Sequence, residues 1–276
     1  MDFNNFSRPG FTMPDFSKLE SMQNKTFHGM NIPDEASSPK PWETGEVEDD
    51  GPISHEAFLD AKFGIWDVAL TPTKPVPHFW FGIFRNKKVL GLGCGGGQQM
   101  PIFTAQGARC TLIDNDDWQL EAEQEVAERE GYWIKTIKSS LDKPLPVEDG
   151  EFDIVFLPAI TISIKDTKPL WKECYRVLKP GGILMAGLDN GLNFAFDGEE
   201  KFLENTLPFD PLANPEQKAQ LGDDDMQFSH TLEEQLNGQL QAGFMLTHIF
   251  EDTNGDGNLH EHNIPTFMAT RAVKPE

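Results

Sequence analysis

Beyond about residue 53 the apolar residues of this chain gather into short blocks, separated by stretches of helical period and by turns marked with glycine or proline. That alternation predicts a mostly parallel sheet covered on both faces. Strands are predicted over 88–92, 110–113, 133–137, 152–157 and 182–186. Between them, helices fit 98–106 (ended by Gly107), 117–130 (ended by Gly131) and 168–177, the last with Trp171, Cys174, Tyr175 and Leu178 on its inner face. Pro101 falls in the first turn of its helix, where a missing N–H costs nothing, and acidic residues open the second helix, where they complement its dipole. Thr231-Leu232-Glu233-Glu234 has capping-box spacing ahead of a helix that stops at Gly243. Strands over 244–250 and 266–273, joined by a polar loop, are expected to run antiparallel. The outline is a doubly wound α/β sheet of about seven strands with an antiparallel C-terminal edge hairpin.

Two stretches depart from this rhythm. Over 1–52, Phe3, Phe6, Phe11 and Phe16 stand singly without a period and Glu46-Val47-Glu48-Asp49-Asp50 is a run of charge, so the segment reads as an acidic, flexible tail ahead of a domain over 53–276. The stretch from about 188 to 229 is irregular, acidic and dotted with aromatics, too long for an ordinary connection, and reads as an insertion of the lid or binding-loop kind.

Composition narrows the function classes. Lys and Arg number 23 against 45 Asp and Glu, a net charge of −22, which repels nucleic-acid phosphates and anionic lipid surfaces alike. Neither a nucleic-acid nor a membrane partner is therefore expected. The apolar run 152–164 is broken by Pro158, Thr161 and Ser163, and no stretch has spanning length. Cys94, Cys110 and Cys174 are odd in number and at no metal-ligand spacing, so no disulfide framework and no metal are predicted, and a reducing cytoplasm fits best.

The sharpest chemical signal is Gly91-Leu92-Gly93-Cys94-Gly95-Gly96-Gly97, directly after a strand and directly before a helix. Glycines there let the backbone turn tightly and approach a ligand, while the helix N-terminus offers free N–H groups. Gly91, Gly93 and Gly96 also match G-x-G-x-x-G, so by itself the loop says only that a nucleotide-like cofactor binds. Asp114 ends the next strand, where a carboxylate accepts both hydroxyls of a ribose, a feature shared by nicotinamide enzymes and methyltransferases.

With Leu141-Asp142, Phe152-Asp153-Ile154-Val155 and Arg176-Val177-Leu178-Lys179-Pro180-Gly181-Gly182 added to these two signals, the chain resembles the class I S-adenosylmethionine-dependent methyltransferases from about residue 53 onward. The resemblance implies a Rossmann-like methyltransferase sheet, S-adenosyl-L-methionine as cofactor and a role for each motif. Gly91, Gly93 and Gly95, with Cys94 and Gly96 in the same loop, would line the methionine half. Asp114 and its neighbour Asn115 would take the ribose, and Leu141 and Asp142 would flank the adenine. Pro158 and Ala159 would border the sulfonium and the methyl acceptor. The segments 66–77 and 229–235 look like a bacterial branch described only as methyltransferase domain proteins. The expected activity is methyl transfer to a small molecule. A protein methyltransferase, a non-catalytic cofactor-binding module and a nicotinamide-dependent oxidoreductase stand as alternatives.

Because the cofactor already activates the methyl group, the protein mainly supplies alignment and a water-poor site, and a base is needed only if the acceptor must lose a proton. His230, at the edge of the insertion and just before a capped helix, is the candidate catalytic residue, with packing beside the cap as the other reading; His78 is a weaker candidate. Thr73 or Lys74 would reach the cofactor carboxylate if the N-terminal segment folds over the site. Asp252 to Leu259 copy the first eight positions of a calcium-binding EF-hand loop, but Asn263 stands at the twelfth, so a turn-rich hairpin loop is favoured, with weak calcium binding as the alternative. His260 and His262 lack a third metal ligand. Phe194, Phe196, Phe202 and Phe209 would either roof an apolar acceptor pocket or anchor the insertion.

Overall fold

A computed structural model describes residues 51–221 and 226–276. The tail predicted over 1–52 lies almost wholly outside the described residues.

Seven strands form one sheet among the described residues, in the order β3-β2-β1-β4-β5-β7-β6. They are β1 (Lys88–Leu92), β2 (Arg109–Asp114), β3 (Lys135–Lys138), β4 (Phe152–Leu157), β5 (Leu178–Asp189), β6 (Met245–Asp252) and β7 (Phe267–Val273). The first five are parallel, and β7 enters antiparallel between β5 and β6. Helices α1 (His55–Lys62), α2 (Gln99–Ala105), α3 (Asp117–Glu130), α4 (Lys168–Val177) and α7 (Leu232–Ala242) cover the sheet; α5 (Leu192–Ala195), α6 (Pro215–Lys218) and α8 (Gly257–Glu261) are short. Alternation within strands builds two cores: Val89, Leu112, Ile154, Phe156 and Met185 pack with Phe103 and Trp80 on one face, and Leu90, Ile113, Val155, Leu157 and Leu184 with Trp171 on the other.

Several elements differ from the sequence reading. The third strand starts later than expected, leaving Trp133 74% exposed while Ile134 carries the buried anchor. The fifth strand is longer at both ends, because β4 pairs with it from Phe152↔Leu178 and β7 as far as Asp189↔Phe267. α1 was not foreseen: only Phe58 and Ala61 are buried on it, too few to show a period. The loop between β6 and β7 contains α8, capped by Asp256.

Thr231 caps α7 as its spacing predicts, with Oγ1 accepting the Glu234 N–H at 3.0 Å. Thr231→Ala is expected to cost about 1 kcal/mol, a thermal shift of a few degrees measurable by calorimetry. Asn at the same place should retain most of that stability.

Strand order reverses between β1 and β4, so the crevice beyond their carboxyl ends is where a ligand of a doubly wound sheet is held.

Candidate active site

The glycine loop leaves β1 at that crevice and enters α2. Its backbone is pinned from below: Gly93 N–H donates to the Ile113 carbonyl at 2.9 Å and Gly96 N–H to the Gln119 carbonyl at 3.0 Å. Gly93 (φ +60°) and Gly97 (φ +71°) take left-handed conformations that side-chain-bearing residues rarely adopt. A Cβ on Gly93 would stand 2.5 Å from Cδ1 of Ile160, and one on Gly95 would stand 2.7 Å from Cβ of Gln119. Cys94 is buried in this loop, and burial raises its thiol well above the usual range.

Asp114, 6% exposed, closes β2 beside the loop. Its Oδ1 accepts the Asp116 N–H at 3.1 Å and its Oδ2 the Gly95 N–H at 3.4 Å. Burial outweighs these hydrogen bonds and pushes its carboxyl up to about 6. Asn115 beside it is exposed. The Ser139 N–H bonds the Asp114 carbonyl at 2.9 Å, which brings the following turn alongside; there Leu141 is half-buried and exposed Asp142 accepts from Ser140 Oγ. Pro158 and Ala159 are buried just past β4, across the crevice from Gly93 through Ile160.

A strap over 68–76 crosses these strand ends. It folds back on itself through Val76 N–H to the Val68 carbonyl at 2.8 Å and an Ala69↔Pro75 bridge. Gln99 Oε1 accepts Ala69 N–H at 3.2 Å, tying the strap to the start of α2. Asp252 Oδ2 accepts Thr73 N–H at 2.7 Å and Lys74 N–H at 3.0 Å, tying it to the end of β6. Between these ties the Leu70 carbonyl lies so close to Gly187 that a Cβ there would sit 1.9 Å from it. Thr73 Oγ1 also donates to Asp252, and the ammonium of Lys74 turns to the Glu251 carbonyl. These two residues therefore fasten the strap instead of reaching a cofactor. The strap presents Thr71, fully buried, whose Oγ1 has no hydrogen-bond partner among the described residues. Gln98, at the N-cap of α2, likewise leaves Nε2 buried and unpartnered.

His230 lies packed beside the cap of α7. It is 4% exposed, and its Nε2 donates to the Ile164 carbonyl at 2.7 Å with the Thr161 carbonyl at 3.1 Å, which leaves that nitrogen no lone pair for a substrate proton. Its Nδ1 faces Glu234 at 3.5 Å. The residue holds the turn after β4, alongside Gln235, which accepts from Thr161 Oγ1 at 3.0 Å and donates to the Asp189 carbonyl at 2.7 Å. His78 stacks on Trp66 at 3.9 Å and bonds its carbonyl, a packing role. Phe194 and Phe209 pack against each other with tilted rings 5.2 Å apart and with Leu221 form a small separate core that anchors the segment after β5, while Phe202 is 71% exposed and Phe196 half-buried. In the calcium-like loop Asp252 is engaged by the strap, and Asn254 and the Leu259 N–H bond Glu200.

The sequence reading missed Ile160, Thr71, Gln98 and Gly187. Ile160 directly follows the flagged Pro158-Ala159 and Gln98 directly follows the glycine loop, but Thr71 and Gly187 gain a place in the site only through the crossing of the strap.

These features suit S-adenosylmethionine. A loop whose Gly91, Gly93, Gly95 and Gly97 leave no room for a Cβ, a buried carboxylate at the end of β2 and two buried polar atoms lacking partners match the polar and charged groups of such a ligand. A family model described as a methyltransferase domain matches residues 90–186. The chain is 38% identical over 231 residues, 80% of its length and 90% of the relative's, to the uncharacterized methyltransferase YbaJ of Bacillus subtilis. It is 35% identical over 105 residues to the sterol 24-C-methyltransferase erg6 of Aspergillus fumigatus, covering 37% of this chain and 28% of that one. The crystal structure of an S-adenosylmethionine-dependent methyltransferase from Mesorhizobium loti shares the fold with a TM-score of 0.59 at 18% identity, over 71% of this chain and 94% of that one. Glycine loop, terminal aspartate, sheet order and relatives agree, and the chain belongs to the class I S-adenosylmethionine-dependent methyltransferases.

Proposed function

We propose that the methyl acceptor is a small molecule bound beyond Pro158, Ala159 and Ile160. The observation that carries this reading is enclosure: Ala159 is fully buried and Ile160 is 7% exposed, with the strap crossing beside them at Leu70. Such a site suits a compact acceptor better than a protein surface. The sterol acceptor in the name of one relative, which matches only part of this chain, and the net charge of −22 support the same class over a nucleic acid. The cytoplasm belongs to the same proposal, supported by three free, buried thiols. Among the described residues no helix is long and apolar enough to cross a membrane.

S-adenosylmethionine, when bound, supplies an electrophilic methyl that passes to the acceptor's lone pair while the C–S bonding electrons stay on sulfur. The chain's own residues supply the alignment. Gly91, Gly93, Cys94, Gly95 and Gly96 would bed the methionine portion, with Thr71 and Gln98 offering their unpartnered polar atoms to its charged end. Asp114 and Asn115 would hold the ribose, and Leu141 with Asp142 the adenine. Ile160, Pro158 and Ala159 would exclude water from the line of transfer, where orientation does most of the work.

The test is incubation of the protein and methyl-labelled cofactor with the small-molecule and protein fractions of one cell extract. Label in the small-molecule fraction is expected, and label confined to protein would sink the proposal.

A further inference from the structure

The floor beneath the glycine loop is one face of α3. Gln119, Ala122, Glu123 and Val126, spaced at helical intervals, all meet the loop. The Gln119 carbonyl takes the Gly96 N–H, and Gln119 blocks a Cβ on Gly95. Ala122 and Val126 with Pro52 crowd Gly97, where a Cβ would stand 2.6 Å from Val126 Cγ2 and 3.0 Å from the Ala122 carbonyl. Glu123 is the unexpected member. It is fully buried, accepts the Gly97 N–H at 3.1 Å on Oε2 and the Tyr132 O–H at 3.2 Å on Oε1, and forms no ion pair among those found in the described residues. A carboxyl in such a place is costly unless it performs a task, and its hydrogen bond to the loop goes to the last glycine before α2.

We infer that Glu123 is a positioning residue for the cofactor: through the Gly97 N–H it sets the exit angle of the glycine loop, and Tyr132 holds the carboxyl in place from behind. Neither group is among those assigned to the ligand. The anchor acts only through the backbone that the ligand rests on.

Burial pushes the Glu123 carboxyl up to about 8. Ionisation above that pH places a charge with no countercharge under the loop, and water drawn to it would loosen the seat. Bound cofactor keeps the loop closed and so raises the cost of that charge, hence affinity is lost as pH rises through about 8. The titratable groups facing Glu123 are Tyr132 beyond α3, Cys94 in the loop and Cys110 on β2. Tyr132 and Cys94 are raised by burial and Cys110 is pushed up to about 12, so all three stay protonated in this range, and Asp114 has already ionised near 6.

The test is calorimetric binding of S-adenosylhomocysteine to the full chain and to Glu123→Gln and Glu123→Ala, from about pH 7 to 9.5. Glutamine reproduces the neutral carboxyl: its oxygen accepts from Gly97 and its amide nitrogen faces the Tyr132 oxygen. At pH 7 Glu123→Gln should bind within about threefold of wild type and Glu123→Ala at least about tenfold more weakly. The ratio of wild-type to Gln affinity should fall at least about fivefold by pH 9.5. A constant ratio overturns the inference, as does alanine binding within twofold of wild type. If the alanine variant does not fold, the wild-type to Gln ratio alone decides.

Discussion

Asp114→Ala is expected to weaken binding of S-adenosylhomocysteine at least about tenfold, close to 1.4 kcal/mol, the lower end of what a lost hydrogen bond to a charged group costs. The reason is placement: the carboxylate is 6% exposed, already oriented by the Gly95 and Asp116 N–H groups, and stands beside the loop that would carry the methionine half. The variant loses an acceptor without gaining another. Its pH dependence gives a sharper measurement. Burial holds the free carboxyl near 6, and a ribose donating two hydroxyls to the carboxylate would lower that value in the complex. Binding then releases a proton in acid. Affinity should fall as pH drops below about 6, by at most about tenfold per unit, and stay flat from there to pH 7. Asp114→Asn should bind weakly with a flat profile in this window. A wild-type profile equally flat below pH 6 would mean that Asp114 does not hold the ligand.

Gly187→Ala is the second large effect, and no catalytic group is involved. The added Cβ would sit 1.9 Å from the Leu70 carbonyl and 2.9 Å from the Ala159 nitrogen, both backbone atoms with no flexible end to give way. Relief requires the strap to lift off β5 or the strand to shift under it. Overpacking of this kind costs about 1–3 kcal/mol, and each kcal/mol lowers Tm by roughly 2–4 °C in a domain of this size. Lifting the strap also moves Thr71 away from the crevice. Cofactor affinity and methyl transfer should therefore fall further than the loss of stability accounts for. The measurement is Tm together with S-adenosylhomocysteine affinity at a temperature where the variant is fully folded. A folded variant with wild-type affinity would show that the strap takes no part in the site. As a contrast, Gly131→Ala, whose Cβ would meet nothing within 4 Å, should leave affinity unchanged although its φ of +69° makes it mildly destabilising.

The parts of this protein that are local in sequence were legible there. β1, α3, β4 and α4 coincide with the predicted spans because each carries its own period and its own stop, and the glycine loop and Asp114 are recognisable because their chemistry is written in consecutive residues and in the end of one strand. From these followed the doubly wound sheet and a nucleotide-like ligand, while S-adenosylmethionine and the family followed from the resemblance that Leu141-Asp142, Phe152 to Val155 and Arg176 to Gly182 complete. What the chain brings together over long separations could not be read in the same way. That Thr73 meets Asp252, that Leu70 meets Gly187 and that His230 meets Ile164 depend on which loops cross which strand ends, and no period encodes a crossing. Glu123 shows the limit most directly. On the sequence it is one more acid in an acidic helix, and only the packing of α3 under the loop removes it from water and gives its carboxyl a backbone N–H to hold. The sequence by itself therefore determined the scaffold and the ligand class, because local propensity and pattern suffice for them. The tertiary structure alone decided which side chains stand free in the crevice, because burial and partnership are properties of neighbours distant along the chain.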